Sequence, residues 1–489
     1  MGYLCAFAVI DPRAAAIRTM IDYASPRHCL VLILGGAGSR PARHTMLLPM
    51  AVALAVGLVS AVAGQTADMP SDTQAVRRTR VVEVFENWKD SVVFVTGPIV
   101  KADKGSAAEF FAASREPLKE RSVGTGFVIH ESGYVVTNAH GVEKILAHVV
   151  VLADGKSYPA EPVAVMHQQD LALLKVVGAR PLKAVRLVRD GELMIGETVI
   201  VIAHPHGLLH TCTAGVLSAM GRTSHLADVP GVTLQNLIQS DAGINPGSSG
   251  GPWFNAAGEV MGMTASMKKE AENIAFAISA ATLRKLLPGM LDIERRYGFA
   301  CGLEVTHEGR CEITGVRLDS PGAKAGWRAG DVITRLAEQP IATGLDFHLA
   351  LLGRKPKDVL AVELLRQGKP EKASLVLAPR PKSDAKAVLK EKLGLEAASL
   401  DPAKAKAMAL RVPRGLVVTA VHAGHYQAVE HRPQPGDVLA RINFIRPRDL
   451  EHAALLVENL KPGEAADIVF VRRQQNVATR LDIHLVLPK

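Results

Sequence analysis

The sequence predicts a mostly β protein: a barrel-type or sandwich-type domain followed by two copies of a smaller α+β module. Three observations carry this. Short apolar runs fill residues 123–278 (FVI, YVVTN, HVVVL, LALLKVV, ETVIVIA, VTLQNLI, AFAI), each closed by Gly, Pro, Asp or Asn. Close-spaced runs of this kind read as strands of a barrel or sandwich, and the long helices that would alternate with them in a doubly wound sheet are missing. In the C-terminal half, Ala329-Gly330-Asp331-Val332-Ile333 recurs as Pro435-Gly436-Asp437-Val438-Leu439, and Gly302-Leu303-Glu304 as Gly394-Leu395-Glu396. The second copy holds an insertion at Asp401-Pro402, where an N-cap Asp, a Pro in the first turn and an Ala-rich continuation predict a short helix.

A chain of 489 residues exceeds what one core usually serves, at ~150 residues per domain. The expected organisation is a leader over 1–63, an N-terminal segment and mobile loop over 67–121, a β domain over 80–290, and modules over 298–378 and 388–489. A polar linker, 379–386, separates the modules. Within the leader, Met46 to Ala63 is an uncharged apolar run preceded by Arg40 and Arg43 and closed by Ala61-Val62-Ala63. That is the pattern of a signal peptide cut after Ala63; an uncleaved anchor is the alternative. Residues 1–45 are too long for a normal n-region, so Met20 or Met46 is an alternative start.

The net charge is +9, a mild bias without the Lys/Arg block of a nucleic-acid groove. None of the five cysteines (Cys5, Cys29, Cys212, Cys301, Cys311) forms a Cys-x-x-Cys pair. This argues against a zinc or redox site. Burial as small hydrophobes is the default for them, with a Cys301–Cys311 bridge as the alternative. Neither a metal nor an organic cofactor is expected.

The residues that bear chemistry sit in the β domain. Asn245-Pro246-Gly247-Ser248-Ser249-Gly250-Gly251-Pro252 presents a serine among glycines. Such a turn exposes a hydroxyl and can aim the Gly247 and Ser249 amides at a developing oxyanion. His140 ends a strand-like run, and Asp170 begins another. An imidazole to take the serine proton and a carboxylate to hold its tautomer complete a triad. The order His, Asp, Ser is that of chymotrypsin-type barrels, not of subtilisins or α/β-hydrolases. Spacing alone leaves His130, His167, His204 and His206 as competing bases, and Asp154, Asp190 and Asp241 as competing acids. Gly247-x-Ser249-x-Gly251 also fits a nucleophile elbow, but the residues that follow read as strand rather than helix.

These residues resemble the HtrA (Deg) family of serine proteases over roughly residues 80–489. Gly124-Thr125-Gly126-Phe127, Val136 to His140, Asp170 to Lys175, Ser240 to Pro252 and Ala275 to Ile278 are similar to that family's ordered motifs. Ser248, Gly141, His204 and Asn273 depart from them, standing where Asn, Val, a small residue and Gly are usual. The resemblance implies a chymotrypsin-like double β-barrel and two PDZ domains, with action on unfolded or damaged proteins in the cell envelope. It also implies assembly into trimers or larger oligomers, while the signal peptide implies a periplasmic or secreted location, with a membrane-anchored form facing the periplasm as the alternative. Phe85 and Trp88 are candidates for the trimer contact or for the core. The resemblance places Ala275, Phe276 and Ala277 beside the substrate. It puts Gly243 at the base of the main side-chain pocket, favouring a small or apolar residue before the scissile bond. Gly302, Leu303, Gly394 and Leu395 match PDZ loops that take a peptide's terminal carboxylate. A PDZ-based chaperone or adaptor with little proteolysis is the alternative.

Overall fold

The computed structural model describes residues 6–9, 18–21, 75, 77–99, 121–145, 147–189, 191–226, 231–267, 273–408, 410, 415–427, 429–474 and 477–487. The expected signal run 46–63, its cut site, Cys5, Cys29, Asp190 and the expected mobile loop over 101–120 lie outside them. Met1–Arg77 forms a compact unit separate from Arg78–Lys489. In the first unit, Ala6–Val9 and Arg18–Ile21 pair as antiparallel strands within the stretch expected to be leader.

In the second unit, Val92–Pro98 (β1), Arg121–His130 (β2), Tyr134–Thr137 (β3), Val149–Val151 (β4), Ser157–Met166 (β5) and Leu171–Val176 (β6) close into a barrel. Closure comes from β1, which pairs with β2 on one edge and β4 on the other. Successive side chains of a strand point to opposite faces, and both faces are dry here. Ala172 and Leu174 join Val93, Val95, Val128 and Val135 in one cluster, while Leu171 and Leu173 join Phe127 and Val136 in another. This explains why LALLKV reads as a continuous apolar run rather than an alternating one.

A second closed barrel follows: Thr198–Ala203 (β7), Thr211–His225 (β8), Thr233–Ser240 (β9), Pro252–Phe254 (β10), Val260–Met267 (β11) and Ala275–Ser279 (β12). Here Val199 and Val201 face one cluster, and Ile200 and Ile202 the other. The helix Arg80–Trp88 (α1) packs on this barrel. Trp88 stacks on Phe254 with ring centroids 6.0 Å apart, and Phe85 is packed against the same core. Both aromatics therefore serve the core.

Helix Ala280–Leu291 (α2), N-capped by the Ser279 side chain, leads out of the barrels. The first repeated module pairs Leu303–Val305 with Ile313–Val316 and builds a four-stranded sheet, in which Val359–Arg366 lies between Val332–Leu336 and Lys369–Val376. Its helix Gly344–Ala350 starts at a capping box between Thr343 and Asp346. The second module is a five-stranded sheet, beginning with Leu395–Ser399 and ending with Val477–Val486. Its inserted helix spans Pro402–Ala407, and Asp401 accepts the Ala403 amide at 2.7 Å, as the sequence predicts. Cys301 and Cys311 are buried, Cys212 is half-buried, and all three are free thiols.

The two modules share one internal ion pair. Asp331 takes both Arg366 Nε (2.9 Å) and Nη2 (2.7 Å), and Asp437 takes Arg472 Nε (2.8 Å) and Nη2 (2.9 Å), each across 35 residues. Each arginine also donates to a carbonyl 40 residues upstream, Gly326 O or Arg432 O. The planar fork fits a carboxylate bidentately, and hydrogen bonding to Arg366 holds the Asp331 carboxyl below the usual range. Both aspartates are buried. Asp437→Ala is expected to destabilise the second module by about 3 kcal/mol, because a largely buried guanidinium loses its partner. Amide-exchange protection over Val438–Ile442 is the readout.

Candidate active site

His140 opens a single helical turn, Ala139–Val142, at the end of β3. Asp170 ends the 3-10 turn His167–Gln169 at φ 50 and is 1% exposed. His140 Nδ1 lies 2.9 Å from each Asp170 carboxylate oxygen. The His140 amide donates to Oδ1 at 3.0 Å, and Asn138 Nδ2 donates to Oδ2 at 3.0 Å. The carboxylate is thus surrounded by donors, and its charge fixes Nδ1 as the protonated nitrogen. Nε2 is left as the acceptor.

Backbone contacts tie the turn that carries Ser249 to the first barrel. Thr125 of β2 donates its amide to Ser249 O at 2.8 Å, and Thr137 of β3 donates its hydroxyl to Thr125 O at 2.6 Å. The serine turn therefore lies against the strand end that leads into His140. Gly250 makes the approach possible. At φ +84, a β-carbon there would overlap Thr125 O and sit 2.6 Å from Thr137 Oγ1.

The turn's carbonyls are committed. Pro246 O accepts the His206 amide at 2.9 Å, and Ser248 O accepts the Gly251 amide at 2.9 Å. In a trans peptide the N–H points opposite to the carbonyl. Gly247 N–H and Ser249 N–H are thereby both directed away from these contacts. Gly247 O is held by Thr125 Oγ1 at 2.7 Å.

The competing residues have other partners. His130 bonds Ser132 (2.8 Å), and His167 bonds Glu143 (2.7 Å). His204 is buried, accepts the His210 amide (3.0 Å) on Nδ1 and is pushed down to about 4 by burial, with His210 adding to the effect. His206 is exposed. Asp154 caps a surface turn through the Lys156 amide (3.1 Å), and Asp241 accepts the Val216 amide (2.7 Å). Of the departures from the family pattern, Ser248 Oγ accepts the Asn245 amide at 3.2 Å. Asn273 adopts φ 59, the left-handed conformation that Asn tolerates.

Gly243 is exposed, and its carbonyl accepts Thr213 Oγ1 at 2.8 Å. A β-carbon at Gly243 would meet nothing within 4 Å. Ala275, Phe276 and Ala277 are buried, and their strand pairs with β9 on one edge and β11 on the other. Both edges of this strand are thus paired within the barrel along these three residues. Gly394 in the second module is also spoken for. Its amide caps the helix Ala385–Leu393 by donating to Lys390 O at 3.1 Å, and the strand from Leu395 follows. Leu389 and Leu393 of that helix are buried in the module's own core.

Sequence reasoning missed a contact behind the His140–Asp170 pair. Phe444 of the second module stacks on His167 at 5.2 Å, and Arg441 Nη1 donates to Glu143 O at 3.1 Å. His167 O in turn accepts the Asp170 amide at 3.0 Å, while Glu143 caps the turn that carries His140. Only the positive φ of Phe444, 66°, is unusual for a bulky residue, and no local pattern announces it. Aromatic stacking is worth about 1 kcal/mol. Phe444→Ala is expected to lower kcat about fivefold with KM unchanged, and Phe444→Tyr to restore it.

The description "Trypsin-like peptidase domain" matches residues 124–263, and "PDZ domain" matches residues 294–377. A DegP-like periplasmic serine endoprotease of Pseudomonas fluorescens is 30% identical over 436 residues, covering 81% of this chain and 89% of the relative. One from Chlamydia trachomatis is 30% identical over 358 residues, covering 69% and 70%. One from Rhizobium meliloti is 34% identical over 285 residues, so the chain spans 55% of that relative's length. Among solved structures, the HtrA-type protease AlgW with a decapeptide is 25% identical, with a TM-score of 0.37 over 62% of this chain and 99% of that one.

Proposed function

The chain belongs to the HtrA (DegP-like) family of serine endoproteases, and from that premise we propose that it hydrolyses peptide bonds through His140, Asp170 and Ser249. The two barrels form a chymotrypsin-type protease domain over 80–290. Ser249 Oγ attacks the scissile carbonyl as His140 Nε2 takes its proton, and His140 returns that proton to the leaving amine. Asp170 orients the imidazole and stabilises its charged form. Gly247 N–H and Ser249 N–H receive the oxyanion. The observation that carries this reading is the imidazole of His140 seated on the buried carboxylate of Asp170.

Gly243 leaves the side-chain pocket without a carboxylate, which suits a small or apolar residue before the scissile bond. Residues 298–378 and 388–489 are two PDZ-type modules; the shared Asp–Arg pair supports common ancestry of their frames. The first binds C-terminal peptides through the loop at Gly302 and Leu303. In the second, the helix-capping duty of Gly394 supports a structural role. Substrates are unfolded or damaged polypeptides in the periplasm, where the relatives are named as acting, and the working form is a trimer or larger oligomer. Fluorophosphonate labelling of the pure protein tests the enzymatic reading. Stoichiometric labelling is expected; a protein that binds unfolded chains yet takes no label is an adaptor instead.

A further inference from the structure

The carboxylate loop of the first module is already occupied by a carboxylate from its own chain. The loop is built to offer amides. Gly302 sits at φ +72, and a β-carbon there would collide with Ser320. The carbonyls of Cys301 and Gly302 face into the module, accepting the amides of Gly322 (3.0 Å) and Arg317 (2.9 Å). Consecutive amides left pointing to one side form an anion-binding concavity.

Glu294 fills it. Glu294 Oε1 accepts the Cys301 amide at 3.0 Å, the Gly302 amide at 3.4 Å and the Cys301 thiol at 2.6 Å. Arg317 Nη2 stands 3.7 Å from Oε2. Burial, with the neighbouring Glu294 charge next, pushes the Cys301 thiol up, so it remains a protonated donor at neutral pH. One carboxylate oxygen shared by two successive loop amides is the arrangement a peptide's terminal carboxylate would adopt. Glu294 belongs to the short helix Ile293–Tyr297, which joins the second barrel's last helix to the module. It is thus tethered a few residues from the loop, at high effective concentration.

We propose that Glu294 is a tethered competitor for the site that takes a C-terminal carboxylate, so that a peptide must displace it to bind. This rests on the reading of the first module as peptide-binding. A ligand suited to the site carries a free terminal carboxylate, the group whose place Glu294 Oε1 takes on the two loop amides. While Glu294 holds the loop, the apparent affinity falls by the fraction of time the loop is open.

The test uses the full-length chain carrying Ser249→Ala, so that the peptide survives. A fluorescent decapeptide ending in valine is titrated with a free carboxylate and, separately, with a C-terminal amide. Glu294→Ala is expected to tighten binding of the free acid roughly tenfold. Glu294→Gln, which keeps the shape and one acceptor but loses the charge-assisted bonds, should fall between. The amide should bind weakly throughout. Equal or weaker binding of the free acid in both variants overturns the competition while leaving the peptide-binding reading intact. An equal gain for the amide also overturns it, because the carboxylate would then not be what Glu294 excludes. No binding to any of the three proteins sinks both readings.

Discussion

Turnover of an unfolded polypeptide falls on the order of 10^6-fold in Ser249→Ala, with affinity for the chain preserved. The size follows from the chemistry. Without the hydroxyl, no acyl-enzyme forms, and His140 has no proton to collect. What remains is whatever the Gly247 and Ser249 amides and the bound geometry provide for attack by water. The alanine fits the same turn, since the Ser249 backbone is held by Thr125 and its neighbours by His206 and Thr264. Loss of activity therefore reports chemistry rather than collapse. Cleavage assayed by gel and by peptide release is the measurement, and a variant retaining a tenth of wild-type turnover would point to a different nucleophile.

Asp170→Asn is expected to lower kcat by roughly 10^4-fold with little change in KM. Each carboxylate oxygen of Asp170 faces a donor besides the imidazole: Oδ1 the His140 amide, Oδ2 the Asn138 side-chain amide. An asparagine must turn its NH2 toward one of them, so either orientation opposes two donors. The imidazole also loses the charge that stabilises its protonated form. The backbone change is small, because Asn accepts the left-handed conformation at φ 50. A pH–rate profile separates the effects. If the carboxylate matters only for packing, Asp170→Asn will keep the wild-type profile at reduced amplitude; a role in holding the tautomer alters the profile itself.

Much of this site could be read from the chain because its parts are local in sequence. The glycine-rich turn around Ser249, the strand end before His140 and the strand start after Asp170 each carry their own short pattern. Strands buried on both faces, such as Leu171–Val176 and Thr198–Ala203, were equally plain. Ser157–Met166 was hidden by Pro159 and Pro162 and by polar residues between its apolar ones. Thr211–His225 was hidden because among its residues only Leu217 is fully buried and it lacks a sustained apolar pattern. The inserted helix at Pro402 was legible from its cap, whereas Ala385–Leu393 begins in the last two residues of the expected polar linker and runs on into the second module, across the boundary drawn between them. Glu294 and Phe444 could not be found from sequence at all. Each acts through a partner whose proximity exists only after folding, and neither residue type is unusual in its surroundings.

The barrels and the first repeated module share one continuous apolar cluster, which runs from Val84 through Phe254 and Leu291 to Leu303, Phe347 and Leu377, whereas the second module keeps a cluster of its own. Thermodynamically the former pair is welded: prising the two parts open would wet a common interior, so motion between them is costly and a push on one is felt by the other. The C-terminal module instead meets the barrel through a ring stack, an arginine on a carbonyl and the Arg448–Glu161 ion pair at 3.0 Å. Such joints are cheap to break and to remake. The molecule is thus divided into a rigid cutting body and a detachable brace: salt loosens the brace by screening its ion pair, and turnover then falls as it does when the Phe444 ring is lost.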